Sequence, residues 1–247
     1  MIITTPAEAE ALKRIGAIVA RVLRQMLAVL EPGMTTRELD GHGEKWLAEA
    51  GARSAPRLTY DFPGATCISV NEEVAHGIPG DRVIQPGDVV NVDVSAELDG
   101  FFADTGGTRV VPPSTVLKDQ LCLTTRAALE AALSVVRAGE RINVIGQAIE
   151  RVAVAGGFRV VENLGSHGIG RKLHDAPDFI QGYDDPKDRR LLKEGMVITI
   201  EPFLCTRSRR LRQAADGWTL HGTADNLSAQ YEHTLIITRD APILCTV

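Results

Sequence analysis

Apolar residues near the start of the chain fall at helical spacing, with Leu12, Ile15, Val19, Val22, Leu23, Met26 and Leu30 lining one face. Thr5-Pro6-Ala7-Glu8 ahead of them combines a hydroxyl N-cap, a proline at the first helical position and a glutamate placed for a capping box. The pattern predicts a helix to about Glu31, stopped by Pro32-Gly33. Thr35-Thr36-Arg37-Glu38 opens a second helix, with Leu39, Trp46 and Leu47 apolar, and Gly51 closes it. Another helix pair is predicted from Leu117 to about Val136 and from Asn143 to about Ala155.

Elsewhere the period drops to two. Val89-Val90-Asn91-Val92-Asp93-Val94-Ser95 alternates, Asp99-Gly100 is a two-residue hairpin signal, and Phe101-Phe102-Ala103-Asp104 returns. If the turn carries no bulge, Leu98 faces Phe101 and Ser95 faces Asp104. Asp93 and Asp104 then share one face as diagonal neighbours, roughly 7–8 Å apart at the backbone. Two acids on one sheet face call for a cation, and inward-reaching side chains can close that separation around a metal.

The helix pairs also align with each other. Setting Gly33 against Gly139 places Leu39 on Ile145, Trp46 on Val152 and Gly51 on Gly157. In a second register, Gln85-Pro86-Gly87-Asp88-Val89-Val90-Asn91-Val92-Asp93 matches Lys193-Glu194-Gly195-Met196-Val197-Ile198-Thr199-Ile200-Glu201, so Asp93 and Glu201 occupy one point of a repeated strand. The expected architecture is α+β: two pseudo-symmetric halves, roughly 1–112 and 113–247, with helices packed on one side of a curved antiparallel sheet. No Pro/Ser-rich linker separates the halves, which predicts a single domain over 1–247.

Composition narrows the function. The chain has 247 residues, 44% hydrophobic and 24% charged, with a formal charge of −5 that offers no overall basic field for nucleic acid or membrane binding. No secretory leader and no apolar run long enough to span a bilayer occur, and Cys67, Cys122, Cys205 and Cys245 form no CxxC pair. These features predict a reduced, cytoplasmic protein without DNA or membrane partners. Arg207, Arg209, Arg210 and Arg212 form a basic run that could touch an anionic surface such as ribosomal RNA, but reads better as a solvated hairpin tip.

Six separated motifs occur in order: Cys67-Ile68-Ser69-Val70-Asn71-Glu72-Glu73-Val74-Ala75-His76-Gly77-Ile78-Pro79, Asn91-Val92-Asp93-Val94, Asp99-Gly100-Phe101-Phe102-Ala103-Asp104-Thr105, Ser166-His167-Gly168-Ile169-Gly170, Gly195-Met196-Val197-Ile198-Thr199-Ile200-Glu201-Pro202 and Ser228-Ala229-Gln230-Tyr231-Glu232-His233-Thr234. Together they strongly resemble methionine aminopeptidase type I, of the M24 family, over almost the whole chain. The resemblance implies the pita-bread fold and hydrolytic removal of the N-terminal, initiator methionine from nascent proteins and peptides, with a small second residue preferred. It implies that Asp93 chelates one metal, that His167 and Glu201 bind another, and that Asp104 and Glu232 bridge both. His76 and His174 would be catalytic histidines beside the metals, also touching substrate. Glu201 would shuttle the proton.

Four carboxylates balance two divalent ions in charge, and oxygen-rich ligation with one imidazole and no thiolate suits Mn2+, Fe2+ or Co2+, with Zn2+ possible. By the same resemblance Tyr60, Phe62, Cys67, Phe203 and Trp218 surround the pocket for the methionine side chain, Cys67 as wall rather than nucleophile. The loop departs from the commonest pattern: Tyr60-Asp61-Phe62-Pro63 lacks an internal His-Gly, and Leu173 stands before His174 where an aromatic is frequent. The expected partners are methionyl peptides and nascent chains met by a monomer, with transient ribosome contact. Two rivals are a proline-directed relative, which usually carries a separate N-terminal domain, and a non-catalytic module of the same fold, which tends to lack ligands that this chain has.

Overall fold

The structure, a computed structural model, describes residues 1–247. Helix α1 spans Pro6–Val29 and α2 Thr36–Glu49, each opened by the expected capping box, Thr5 with Glu8 and Thr35 with Glu38. Helix α1 stops slightly short of Glu31 because Leu30 turns out of helical conformation at ψ 118°. Its predicted apolar stripe is buried, Leu12, Ile15, Val19, Val22 and Met26 completely. A short helix, α3, covers Ala55–Tyr60, and the second long pair is α4, Val116–Val135, and α5, Asn143–Ala155.

All strand pairing is antiparallel. In the first half, the strand Val89–Leu98 pairs along its length with Phe101–Val110, and along its other edge with Arg53–Ser54 and Cys67–Val70. The hairpin has no bulge: Leu98 opposes Phe101, Ser95 opposes Asp104 and Asp93 opposes Gly106. Asp99 and Gly100 both have positive φ, 51° and 80°, as a two-residue turn matching strand twist requires. In the second half, Val197–Ile200 lies between His233–Ile236 and Ser166–Gly168.

The halves repeat at the level of hydrogen bonds. Gly33 N–H donates to the Ile84 carbonyl and Gly139 N–H to that of Leu192, while Ile84 and Leu192 donate back to Met34 and Glu140. Gly87 donates to Val111 as Gly195 does to Ile237. The glycines matched in the sequence, Gly33 with Gly139, Gly51 with Gly157 and Gly87 with Gly195, all sit at positive φ. Each half packs its helices on its own sheet, with Leu39, Ile68 and Val92 in one core and Leu121, Ile149 and Ile198 in the other.

The sheets meet along one seam. Glu232 N–H donates to the Gly106 carbonyl at 3.0 Å, the Thr105 hydroxyl donates to the Glu232 carbonyl, and Asp104 and Thr234 exchange two bonds. Gly106 leaves room at the seam for the Gln230 amide, since a Cβ there would lie 2.1 Å from Gln230 Oε1. Gly106→Ala should therefore cost about 1–3 kcal/mol in urea denaturation, because a methyl group there displaces the buried Gln230 amide from its bonds to Asn91 and Glu232. Gly41→Ala is the control: on α2 a Cβ meets nothing within 4 Å, so this change should stabilise by about 0.5–1 kcal/mol.

Candidate metal centre and its cavity

The seam gathers the acids anticipated from the hairpin and the repeat. Asp104, His167, Glu201 and Glu232 are buried, and Asp93 is half-buried at the cavity wall. One ligand atom each from Asp104, His167 and Glu232 lies within 4.8 Å of the others. No Lys or Arg pairs with any of the four carboxylates; the only ion-pair geometry is Glu201 Oε1 at 3.5 Å from His167 Nε2.

The donor set fits a cation. Asp104 Oδ1 and Glu232 Oε1 are fully buried and accept no hydrogen bond, a costly state for carboxylate oxygens unless a cation occupies the gap. His167 Nδ1 lies 2.9 Å from the Gly168 carbonyl, which can only accept, so Nδ1 carries the hydrogen and Nε2 presents a lone pair. That lone pair faces Glu201 Oε1, acceptor against acceptor, an arrangement that a positive ion relieves.

Neighbours orient these groups from behind. Thr199 Oγ1 donates to Glu201 Oε1 at 3.0 Å and accepts from His167 N–H. Asn91 donates to Gln230 Oε1 at 2.8 Å, and Gln230 donates in turn to Glu232 Oε2 at 3.0 Å. Asn91 and Thr199 are equivalent positions of the repeated strand, so each half supports an acid from the same place. Burial, then the charge of Asp104, holds the carboxyls of Asp93, Glu201 and Glu232 well above the ordinary range. Burial raises Asp104 to about 6 and depresses His167 to about 3 and His76 to about 4, leaving both imidazoles neutral.

Above the acids opens a cavity of about 280 Å³, lined by Tyr60, Phe62, Cys67, His76, Asp93, Asp104, His167, His174, Glu201 and Trp218 among others. Glu232 lies beneath its floor, 2% exposed. Phe62 is buried and meets the Trp218 ring edge to face at 5.2 Å. Cys67 opposes Asp93 across paired strands, and burial with the nearby acids keeps its thiol protonated, as a wall residue. His76 takes a left-handed backbone at φ 55°, strained for a non-glycine residue, just before Gly77, whose Cα packs against the Ile68 carbonyl.

The model of metallopeptidase family M24 matches residues 10–239. The chain belongs to that family. It is 47% identical over 247 residues to methionine aminopeptidase 2 of Bacillus subtilis (strain 168), covering 100% of this chain and 99% of the relative. It is 38% identical to the methionine aminopeptidase of Escherichia coli (strain K12), covering 96% and 90%. The crystal structure of methionine aminopeptidase from Thermotoga maritima superposes with a TM-score of 0.95 at 33% identity, covering 100% and 99%. A prolidase from Pyrococcus furiosus, at 22% identity and a TM-score of 0.80, shares the fold alone. The pita-bread architecture expected from the motifs is therefore that of this M24 chain, a metallopeptidase whose buried acid and histidine cluster could bind metal.

Two placements differ from expectation. Phe203 does not line the cavity; it packs with Val74, Val161 and Leu211 in a small core of its own. The basic run is not a hairpin tip, because pairing begins only at Arg212 and the turn lies between Gln213 and Leu220. Its arginines are exposed, and Arg209 and Arg210 approach Glu162 at 3.4 and 3.9 Å. Tyr60 does line the cavity, at 43% exposure, with its hydroxyl 2.7 Å from His174 Nδ1. Among further lining residues, Pro56, Leu164 and Gly165 carry no sequence pattern of their own, whereas the hairpin alone places Ser95 opposite Asp104.

The fold raises the Asp104 pKa from 3.8 to about 6, so its stabilising contribution is fully present below the unfolded value and lost as pH rises through 6. Metal-stripped protein should accordingly lose stability to urea between about pH 4 and pH 7, more steeply than stripped Asp104→Asn, whose amide does not titrate. Added divalent metal should abolish that difference. Parallel pH profiles for the two stripped proteins would contradict the burial of an uncompensated Asp104.

Proposed function

We propose that this chain is a methionine aminopeptidase that removes the N-terminal, initiator methionine from nascent proteins and peptides, preferring a small second residue. One observation carries the reading: the unpaired carboxyl groups of Asp93, Asp104 and Glu201 and a neutral imidazole line a cavity, with Glu232 buried beneath it, and Phe62, Cys67 and Trp218 are among its other walls. Its volume lies just below the roughly 300 Å³ at which small-molecule sites begin, which suits one side chain rather than a length of peptide. Aromatic and sulfur-bearing walls suit a thioether.

In this reading Asp93, Asp104, His167, Glu201 and Glu232 hold two divalent ions, Mn2+, Fe2+, Co2+ or Zn2+. Bound there, such ions supply Lewis acidity for a carbonyl and lower the pKa of a water. Glu201 has Oε1 engaged by Thr199, which leaves Oε2 to take a proton from the attacking water and return it to the leaving amine. His174, at the cavity wall with one ring nitrogen uncommitted, donates to the oxygen on which negative charge develops. His76 makes no hydrogen bond within the chain and serves the scissile amide or its flank. The whole chain acts as one catalytic domain.

The reading extends to a cytoplasmic monomer that meets chains as they emerge, with brief ribosome contact. No helix of the structure is long and apolar enough to cross a membrane. The exposed Arg207, Arg209, Arg210 and Arg212 would supply the contact with an anionic surface.

Metal-stripped protein resupplied with each ion in turn should release methionine from Met-Ala-Ser and leave Ala-Pro-Ala intact. Preferential cleavage of the proline peptide would instead assign the chain to the proline-directed relatives. Glu232→Gln should lose metal and turnover together. His174→Ala should keep its metal, measured by elemental analysis, and lose kcat by about 100-fold, a typical share for one positioned donor; loss of metal would recast His174 as a ligand.

A further inference from the structure

We propose that Tyr60 is a positioning residue for His174, fixing the imidazole in the tautomer that carries its hydrogen on Nε2. This rests on the aminopeptidase reading above and gives a role of its own to a residue that the resemblance places around the methionine pocket and that lines the cavity.

The geometry begins with α3. Ser54 Oγ accepts from Arg57 N–H and donates to the Ala65 carbonyl at 2.8 Å, tying the helix start to the following loop. Asp61, at φ 55°, ends the helix with its N–H on the Arg57 carbonyl, and Phe62 N–H bonds the Pro56 carbonyl. Phe62 is 3% exposed and locked against Trp218, so the residue two places before it is held at the cavity mouth by a buried anchor. Tyr60 itself is open to solvent on one side, an arrangement poorly suited to enclosing an apolar side chain.

The Tyr60 hydroxyl meets His174 Nδ1 at 2.7 Å and has no other partner in the chain. A neutral imidazole nitrogen is a much better acceptor than a phenol oxygen, so the O–H donates to Nδ1. Reversing the bond would leave the phenol hydrogen without an acceptor in the chain and would turn an Nε2 lone pair toward a substrate carbonyl. With the O–H donating, Nε2 keeps its hydrogen and has no protein partner, which makes it the atom available to substrate. The His167 ring packs on His174 at 4.2 Å between centroids, so the imidazole is fixed at a face by one residue and at Nδ1 by the other. Burial raises the Tyr60 pKa, which keeps the donor proton in place near neutral pH.

Tyr60→Phe keeps the ring and removes only the hydroxyl. With Met-Ala-Ser it should lower kcat about 10- to 100-fold, the range that partners orienting a functional histidine command, with KM and bound metal unchanged. In a His174→Ala background the same change should cost less than about twofold, because the group it serves is gone. In the zinc-loaded protein, 15N spectra of labelled histidines should show His174 as the Nε2–H tautomer in the wild type and a tautomer mixture in Tyr60→Phe.

A raised KM at unchanged kcat would return Tyr60 to the methionine pocket and overturn the proposal. Equal losses with and without His174, or identical His174 spectra in both proteins, would overturn it as well. Failure of the wild type to release methionine would instead strike the aminopeptidase reading, and the spectra would still decide the Tyr60 bond.

Discussion

Four carboxyl groups converge at the seam between two sheets with no lysine or arginine to pair with them, and the rest of the molecule is arranged around that uncompensated acid cluster. An unpaired carboxylate taken out of water costs several kcal/mol even after relaxation. Here the fold does this repeatedly within one cluster, leaving Asp104 Oδ1 and Glu232 Oε1 without any donor. Hydrogen bonds from Thr199 and Gln230 serve single oxygens of Glu201 and Glu232 and orient them, but supply no net positive charge. The protein holds a strained electrostatic arrangement in reserve, and divalent cations bound there would offset its cost.

Rigid placement makes that reserve usable. Each half delivers acids from strands whose registers are set by tight turns and by glycines at positive φ, and the two halves use equivalent hydrogen bonds to do so. Gly106 then makes room for the Gln230 amide that orients Glu232 beside Asp93 and Asp104. The cavity follows from the same geometry. Its acidic floor is the seam, while its apolar walls come from the segments after α3 and around Trp218, so one opening exposes a reacting bond to the acids and a side chain to soft surface.

Much of this is legible in the sequence where the information is local. Asp99-Gly100 is short enough to fix register without ambiguity, so alternation alone puts Asp93, Ser95 and Asp104 on one face, where the paired strands hold them. Glu201 follows from the repeated strand, and the helix starts follow from their capping boxes. His167 and Glu232 lie in or beside strands of three and four residues, too short for periodicity to mark, and come only through resemblance of motifs. The contacts that escape the sequence are long-range. Tyr60 and His174 are 114 residues apart along the chain, and nothing local signals their bond. Phe203 reads as a pocket residue because it follows Glu201 closely, yet the strand it begins turns it into a separate core.

Calorimetric titration of metal-stripped protein with Mn2+ near pH 7, in two buffers of different ionisation enthalpy, tests the central claim most directly. Metal that displaces protons from carboxyls held above their ordinary range must release those protons to buffer. The account predicts saturation at two ions per chain with net proton release. Absence of saturable binding, or tight binding without proton release, would contradict a buried cluster of uncompensated acids.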